Sequence, residues 1–334
     1  MFVRAVLDTC TVRNHTDDIN PKITLDLVRE RRDLVRMSLP ASAFVELTRQ
    51  LAEGDLPFTR WKERIPGLGG VLDPRWPCLP NGRQLAWLAG TQTIKPIENI
   101  EDESRHMRAC WHHLLEVKPE ELGKCQVVYR VSNGSLRSIR LDYQRLKQTI
   151  AGERQDWIDY IRKMRAELPT RGIAATDERA LAALMRADFG NDPLDAPGLG
   201  EKLDAASRMM ARFVARSLPS KMPAYNPESE KRRGDAFDVN LLFYVPLPAV
   251  IVTGDGRFVR GLRETGAPHA RQVLTIEEFN AELSKGSLTS LVEDFQTRER
   301  QHRQHCEAAY FRWEQRDRPG NDDWNDWFTS EPVA

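Results

Sequence analysis

Four acidic residues stand where short apolar runs end or where helices open: Asp8 after FVRAVL, Glu46 in ASAFVEL, Asp238 before VNLLFYV, and Asp255 after AVIVTG. A fifth, Asp235, lies three positions before Asp238 and shares its face if that segment is helical. Residues just beyond the carboxyl ends of parallel strands line the cleft where ligands bind, so Asp8 and Asp255 are expected as neighbours. Glu46 and Asp238, on the opening turns of helices, would face the same cleft. Unpaired carboxylates crowded together cost on the order of several kcal/mol, and a divalent cation removes that cost. Oxygen-only ligation selects Mg2+ or Mn2+ over zinc. The chemistry such a site performs is activation of water and in-line displacement at phosphorus, that is, phosphodiester hydrolysis. Each acid also has a plainer reading. An Asp at a strand end caps the following helix; Glu46 alone would be a solvated helix residue; and Asp235 beside KRR would be half of a surface ion pair.

The elements that must position these acids follow from the pattern of the chain. FVRAVLDTC reads as a strand ending at Asp8, residues 23–35 carry apolar positions at helical spacing, RMSLP suits a strand, and ASAFVELTRQLAEG a helix. That alternation favours a parallel sheet with helices on its faces. From Gly54 to Gly90 the chain is rich in Pro, Gly and Trp, as expected of an irregular surface excursion. TIKPIENI suits a strand and EDESRHMRACWHHLLEV a helix with acids at its positive end. Residues 136–168, 173–188 and 199–218 read as helices, SLPSKMPAYNPESEKRRG as a polar linker, and AVIVT as a strand delivering Asp255.

Lysines plus arginines and aspartates plus glutamates number 49 each, so the molecule offers polyanions no general attractive field, only local basic patches. The five cysteines, Cys10, Cys78, Cys110, Cys125 and Cys306, are scattered without a C-x-x-C pair, which argues against a disulfide framework or a zinc knuckle. Cys110, His112 and His113 read as one helix face lacking further ligands. No leader-like segment opens the chain and no apolar run approaches membrane length, so a soluble, cytoplasmic protein is expected.

Three stretches together resemble the PIN domain, a metal-dependent nuclease fold: VLDTCTV, LPASAFVEL with Ser42 four before Glu46, and DVNLLFYVPLPAVIVTGDGRF. In the last, Asp238 is followed by the turn Thr253, Asp255, Phe258. The resemblance implies an α/β, parallel-sheet, three-layer PIN-like (Rossmann-like) core with a mainly helical insertion. Its parts would be 1–54 for the first core portion, 55–93 an irregular insertion, 94–117 a core strand and helix, 118–229 the helical insertion, 230–280 the second core portion, and 281–334 a helical and Trp-rich extension. It also implies Asp8, Glu46, Asp238 and Asp255 as catalytic and metal-binding acids with Mg2+ or Mn2+, Asp235 as a further ligand, and Thr9, Ser42 and Thr253 in support. The activity implied is an endoribonuclease of prokaryotic toxin, defence or RNA-processing type, with RNA ahead of DNA as substrate, an antitoxin or regulatory protein as partner, and a homodimer.

Lys231, Arg232, Arg233 and Arg257 flank the acids and suit phosphate contacts, with surface solvation as the plainer reading. Arg208, Arg212 and Arg216 make a stripe that could track an RNA backbone or simply be a solvated face. Trp87, Trp111 and Trp157 are expected in the core. The acidic, Trp-bearing C-terminal tail would dock on the chain's own basic surface, bind a partner chain, or stay mobile. Two other functions compete. A catalytically silent PIN-like scaffold would bind nucleic acid or protein. A haloacid-dehalogenase-like phosphatase would use VLDTCTV as its nucleophile loop, but position 10 is Cys where that loop needs a second Asp.

Overall fold

The computed structural model describes residues 2–80, 100–121, 124–168, 170, 172, 177–191, 204–217, 225–232, 234–245, 247 and 249–292 of the 334-residue chain. The expectations placed on TIKPIENI, Trp87, Arg233, Cys306 and the C-terminal tail fall outside the described residues.

Four parallel strands, β1 (Val3–Leu7), β2 (Val35–Ser38), β5 (Ala249–Thr253) and β6 (Val273–Thr275), form a sheet in the order β2-β1-β5-β6. The register sets Ala5 beside Met37 on one side and beside Val250 on the other. Both faces are covered, which is why β1 and β5 are nearly continuous apolar runs instead of alternating ones. Val3, Ala5, Leu7, Val250 and Val252 point to one core, and Val6, Ala249 and Ile251 to the other.

The first core is closed by α1 (Thr9–Thr16), α2 (Leu25–Glu30), α3 (Ala41–Glu53), α4 (Phe58–Gly69), α5 (Ile100–Glu116) and α11 (Ile276–Lys285), through Val12, Val28, Leu47, Trp61, Trp111 and Phe279. The second is closed by α6 (Tyr143–Glu167), α7 (Glu178–Asn191), α8 (Asp204–Ser217), α9 (Asp235–Leu241) and α10 (Gly256–Glu264), through Ile161, Leu181, Val214, Val239 and Leu262. The result is a three-layer α/β architecture. Helices α6 to α8 share one core with β5 and α10, so they build the second layer. Among the described residues no helix is long and apolar enough to cross a membrane.

The order of the strands creates a crevice. From β1 the chain passes through α1 and α2 on the first face to β2; from β5 it passes through α10 on the second face to β6. The connections leave the carboxyl ends of adjacent strands in opposite directions, the switch point at which open α/β sheets bind ligands.

Two local expectations are corrected. Within 54–90, residues 58–69 form α4, which buries Trp61, Ile65 and Leu68 at helical spacing despite Pro66 and two glycines. Leu72 and Cys78, both buried, bridge in parallel to Met37 and Leu39 at the edge of β2, and Arg4 pairs with buried Asp73 at 2.8 Å. The described part of the excursion, 54–80, is therefore packed against the sheet. Residues 136–142, expected to be helical, form β4 (Leu136–Asp142), paired antiparallel with β3 (Lys124–Arg130). The deciding signal is Asn133-Gly134, with Gly134 at φ 88°, a turn that glycine adopts without strain.

Candidate acidic site

Asp8 follows β1 directly and caps α1, its Oδ1 accepting from the Thr9 amide at 2.6 Å. Its Oδ2 accepts from the Thr253 hydroxyl at 2.8 Å and the Cys10 thiol at 2.8 Å. Thr253 is the last residue of β5 and fully buried, so the bond joins the carboxyl ends of the two strands at the switch point. Thr253 Oγ1 accepts in turn from the Asp255 amide at 3.0 Å, and Cys10 Sγ from the Gly254 amide at 3.0 Å. Two short relays thus hold the turn bearing Asp255 against Asp8. Asp255 caps α10, its Oδ1 accepting from the amides of Arg257 at 2.8 Å and Phe258 at 3.1 Å. The capping reading and the site reading hold together at both aspartates.

Glu46 lies on the second turn of α3, accepting from the Thr9 side chain and from Gln50 Nε2 at 3.1 Å. Arg13 donates to Gln50 Oε1 at 2.9 Å and fixes that amide. Ser42 is half-buried on the first turn of α3. Asp235 and Asp238 both occupy the first turn of α9.

The electrostatics tie the five acids together. Burial pushes the Asp238 carboxyl well above the usual carboxylate range, and the charges of Asp8, Asp235, Asp255 and Glu46 push it further. Burial is also the first cause for Asp8, which is raised with Asp255 adding to it against the Cys10, Thr253 and Thr9 hydrogen bonds. Glu46 is raised by burial and by Asp8. Asp235 is raised to about 6, by burial first, against a hydrogen bond from Tyr225 and the charge of Arg232. Residues separated by as many as 247 positions therefore act on Asp238 through space. The four charges that act most strongly on Asp238 are all carboxylates. Among the described residues, no group of three or more His, Cys, Asp or Glu side chains is arranged so that it could hold a metal ion.

A family model described as "Protein of unknown function (DUF2934)" matches residues 306–331. No curated protein and no solved structure matches the chain.

The residues expected to flank the acids divide. Lys231 and Arg232 are exposed on the turn before α9, and Arg257 is exposed on the first turn of α10. The Arg232 guanidinium lies 5.7 Å from the Tyr225 ring centre. In the stripe, Arg208 bonds Asp204 at 2.7 Å and the Thr265 carbonyl at 3.1 Å, while Arg212 pairs with Glu264. Those two stripe arginines are half-buried and held by protein partners. Asp235 is not the surface ion-pair half that KRR suggested. It is 8% exposed, and its Oδ2 is buried without a hydrogen-bond partner.

Three contributors were not legible as site residues. Cys10 looked only like a departure from an unrelated motif. Tyr225 sat in what read as a polar linker, yet it is buried, bonds Asp235, and accepts from Trp157 Nε1 at 2.8 Å. Gln50 is one turn after Glu46, and that i, i+4 spacing was the available signal.

Proposed function

We propose that this chain is a Mg2+- or Mn2+-dependent nuclease of PIN-like type, hydrolysing phosphodiester bonds at the crevice between β1 and β5. The observation that supports this most is that the carboxylates of Asp8, Glu46, Asp235 and Asp255 are the charges that act most strongly on Asp238. The donor set is all oxygen, as a hard cation prefers, from buried Asp235, half-buried Asp8, Glu46 and Asp238, and exposed Asp255, and the Asp235 Oδ2 has no hydrogen-bond partner. A bound Mg2+ or Mn2+ would supply the charge that polarises a phosphodiester and activates water.

The chain's own residues would do the rest. Asp8, Glu46, Asp238 and Asp255 would hold the ion, with Asp235 as a reserve ligand. Thr253 and Cys10 orient Asp8 Oδ2, and Thr9 orients Glu46. Lys231, Arg232 and Arg257 are exposed beside the acids, where substrate phosphates would meet them. RNA as substrate, a toxin or defence role, an antitoxin-like partner, pairing of two copies and a cytoplasmic location belong to this reading through the PIN resemblance.

A second reading is a silent scaffold of the same fold. It is favoured by the engagement of both Asp8 oxygens with internal donors. One assay separates them: end-labelled single-stranded RNA and DNA incubated with Mg2+, Mn2+ or EDTA. The nuclease reading expects metal-dependent cleavage of RNA that falls more than about a hundredfold in both Asp8→Asn and Asp238→Asn, since loss of a ligand exceeds loss of its supporting partners. Cleavage that persists in both variants, or none from the wild type, contradicts it.

A further inference from the structure

The β3–β4 hairpin has two unlike faces. Its inner face packs on the body of the fold: Val127 is buried, Ile139 touches the first core, and Tyr129 stacks on His106 of α5 at 5.6 Å. The outer face is set by the register, which places Val128 opposite Ser138 and Arg130 opposite Leu136. Val128 is 55% exposed and Leu136 64%, two of the three large hydrophobic side chains exposed among the described residues. As diagonal cross-strand neighbours, they form one continuous apolar strip. Arg130 and Arg140, both exposed, flank that strip. A two-stranded sheet is only marginally stable without a further layer or strand, and among the described residues none covers its outer face.

The chemistry of the face selects its occupant. Apolar side chains between arginines call for an acidic segment with large apolar groups. A second copy of the hairpin would set arginine against arginine. A nucleic acid would satisfy the arginines but not Val128 and Leu136, and the hairpin's aromatic ring, Tyr129, is committed to His106 on the inner face. The chain carries a matching sequence at 321–331, NDDWNDWFTSE: Asp322, Asp323, Asp326 and Glu331 beside Trp324, Trp327 and Phe328, without a lysine or arginine. Val292, the last described residue, is buried in the same core that Ile139 touches. The 28 residues from 293 to 320 could span up to about 90 Å, so reach is no obstacle.

We propose that the outer face of the β3–β4 hairpin is a docking site for the acidic, aromatic segment 321–331 of the same chain. This proposal is independent of the acidic site and stands or falls without it. Amide hydrogen exchange on the full-length protein tests it, comparing the wild type with Trp324→Ser/Trp327→Ser and with Leu136→Ser/Arg140→Glu. The first pair of substitutions should speed exchange about tenfold in residues 126–140, and the second should speed it similarly in 321–331, as expected for loss of a covering segment. The second pair replaces exposed side chains, and unchanged exchange in β1 and β5 certifies the fold. Hairpin exchange that ignores the tryptophan substitutions overturns the proposal. Protection lost on dilution would assign the segment to a second copy, and protection appearing only with a single-stranded RNA oligonucleotide would make the face a nucleic-acid surface; either overturns it.

Discussion

Replacing Asp235 with asparagine should stabilise the metal-free protein, and only above acid pH. Burial is the first cause that raises Asp235 from 3.8 to about 6, so ionising it costs the folded state free energy that the unfolded chain does not incur. That interval corresponds to about 3 kcal/mol, taken as a ceiling. The sign follows from proton counting. Between about pH 3.8 and 6 the folded state binds more protons than the unfolded state, so stability falls as pH rises through that window. The penalty is fully present above about 6 and absent well below 3.8. Asparagine keeps an acceptor for the Tyr225 hydroxyl and removes the charge. Urea unfolding in EDTA should therefore show Asp235→Asn more stable than wild type by up to about 3 kcal/mol near pH 7.5, and by only about 0.5 kcal/mol near pH 4. A variant destabilised equally at both pH values would refute the reasoning, because it would mean that the carboxylate serves as a structural acceptor instead of a strained charge.

Two further perturbations probe the supports of the site. Tyr225→Phe removes the hydroxyl that bonds Asp235 and leaves Trp157 Nε1 without its acceptor in a buried place. It should cost about 1–3 kcal/mol in urea unfolding, whereas an effect under a few tenths would show that water replaces the hydroxyl. Gly254→Ala would set a Cβ 3.2 Å from Asn14 Nδ2 and 3.3 Å from Cys10 Sγ, displacing the thiol that bonds Asp8. Its expected signature is Mn2+ binding weakened about tenfold or more with a melting temperature nearly unchanged; unaltered affinity would remove Cys10 from the positioning network.

Much of the sheet was legible because both-face burial writes strands such as AVIVT as short apolar runs, and a run of that kind admits few alternatives. The acids Asp8 and Asp255 were legible for the same reason, each marking the point where such a run stops. The hairpin was not. Its inner positions include Tyr129 and Arg137, so its period of two carries little hydrophobic contrast, and only Asn133-Gly134 announced the turn. The packing of 58–80 was hidden by Pro66 and its neighbouring glycines, which mark loops in most settings but here sit beside a buried Trp61. Tyr225 could not be found from its neighbours. Its role depends on Trp157, 68 residues earlier, and on Asp235, whose burial contradicts the KRR beside it.

In the proposed nuclease, five acids from four separate segments together hold a hard cation. Calorimetric titration of the metal-free protein with Mn2+ near pH 7.5 tests it most directly, comparing wild type with Asp238→Asn. Saturable binding to the wild type is expected, accompanied by proton release as the ion displaces the proton of a raised carboxyl into the buffer, with affinity lowered at least about tenfold in the variant. Equal binding by both proteins, or none by the wild type at millimolar Mn2+, would contradict it.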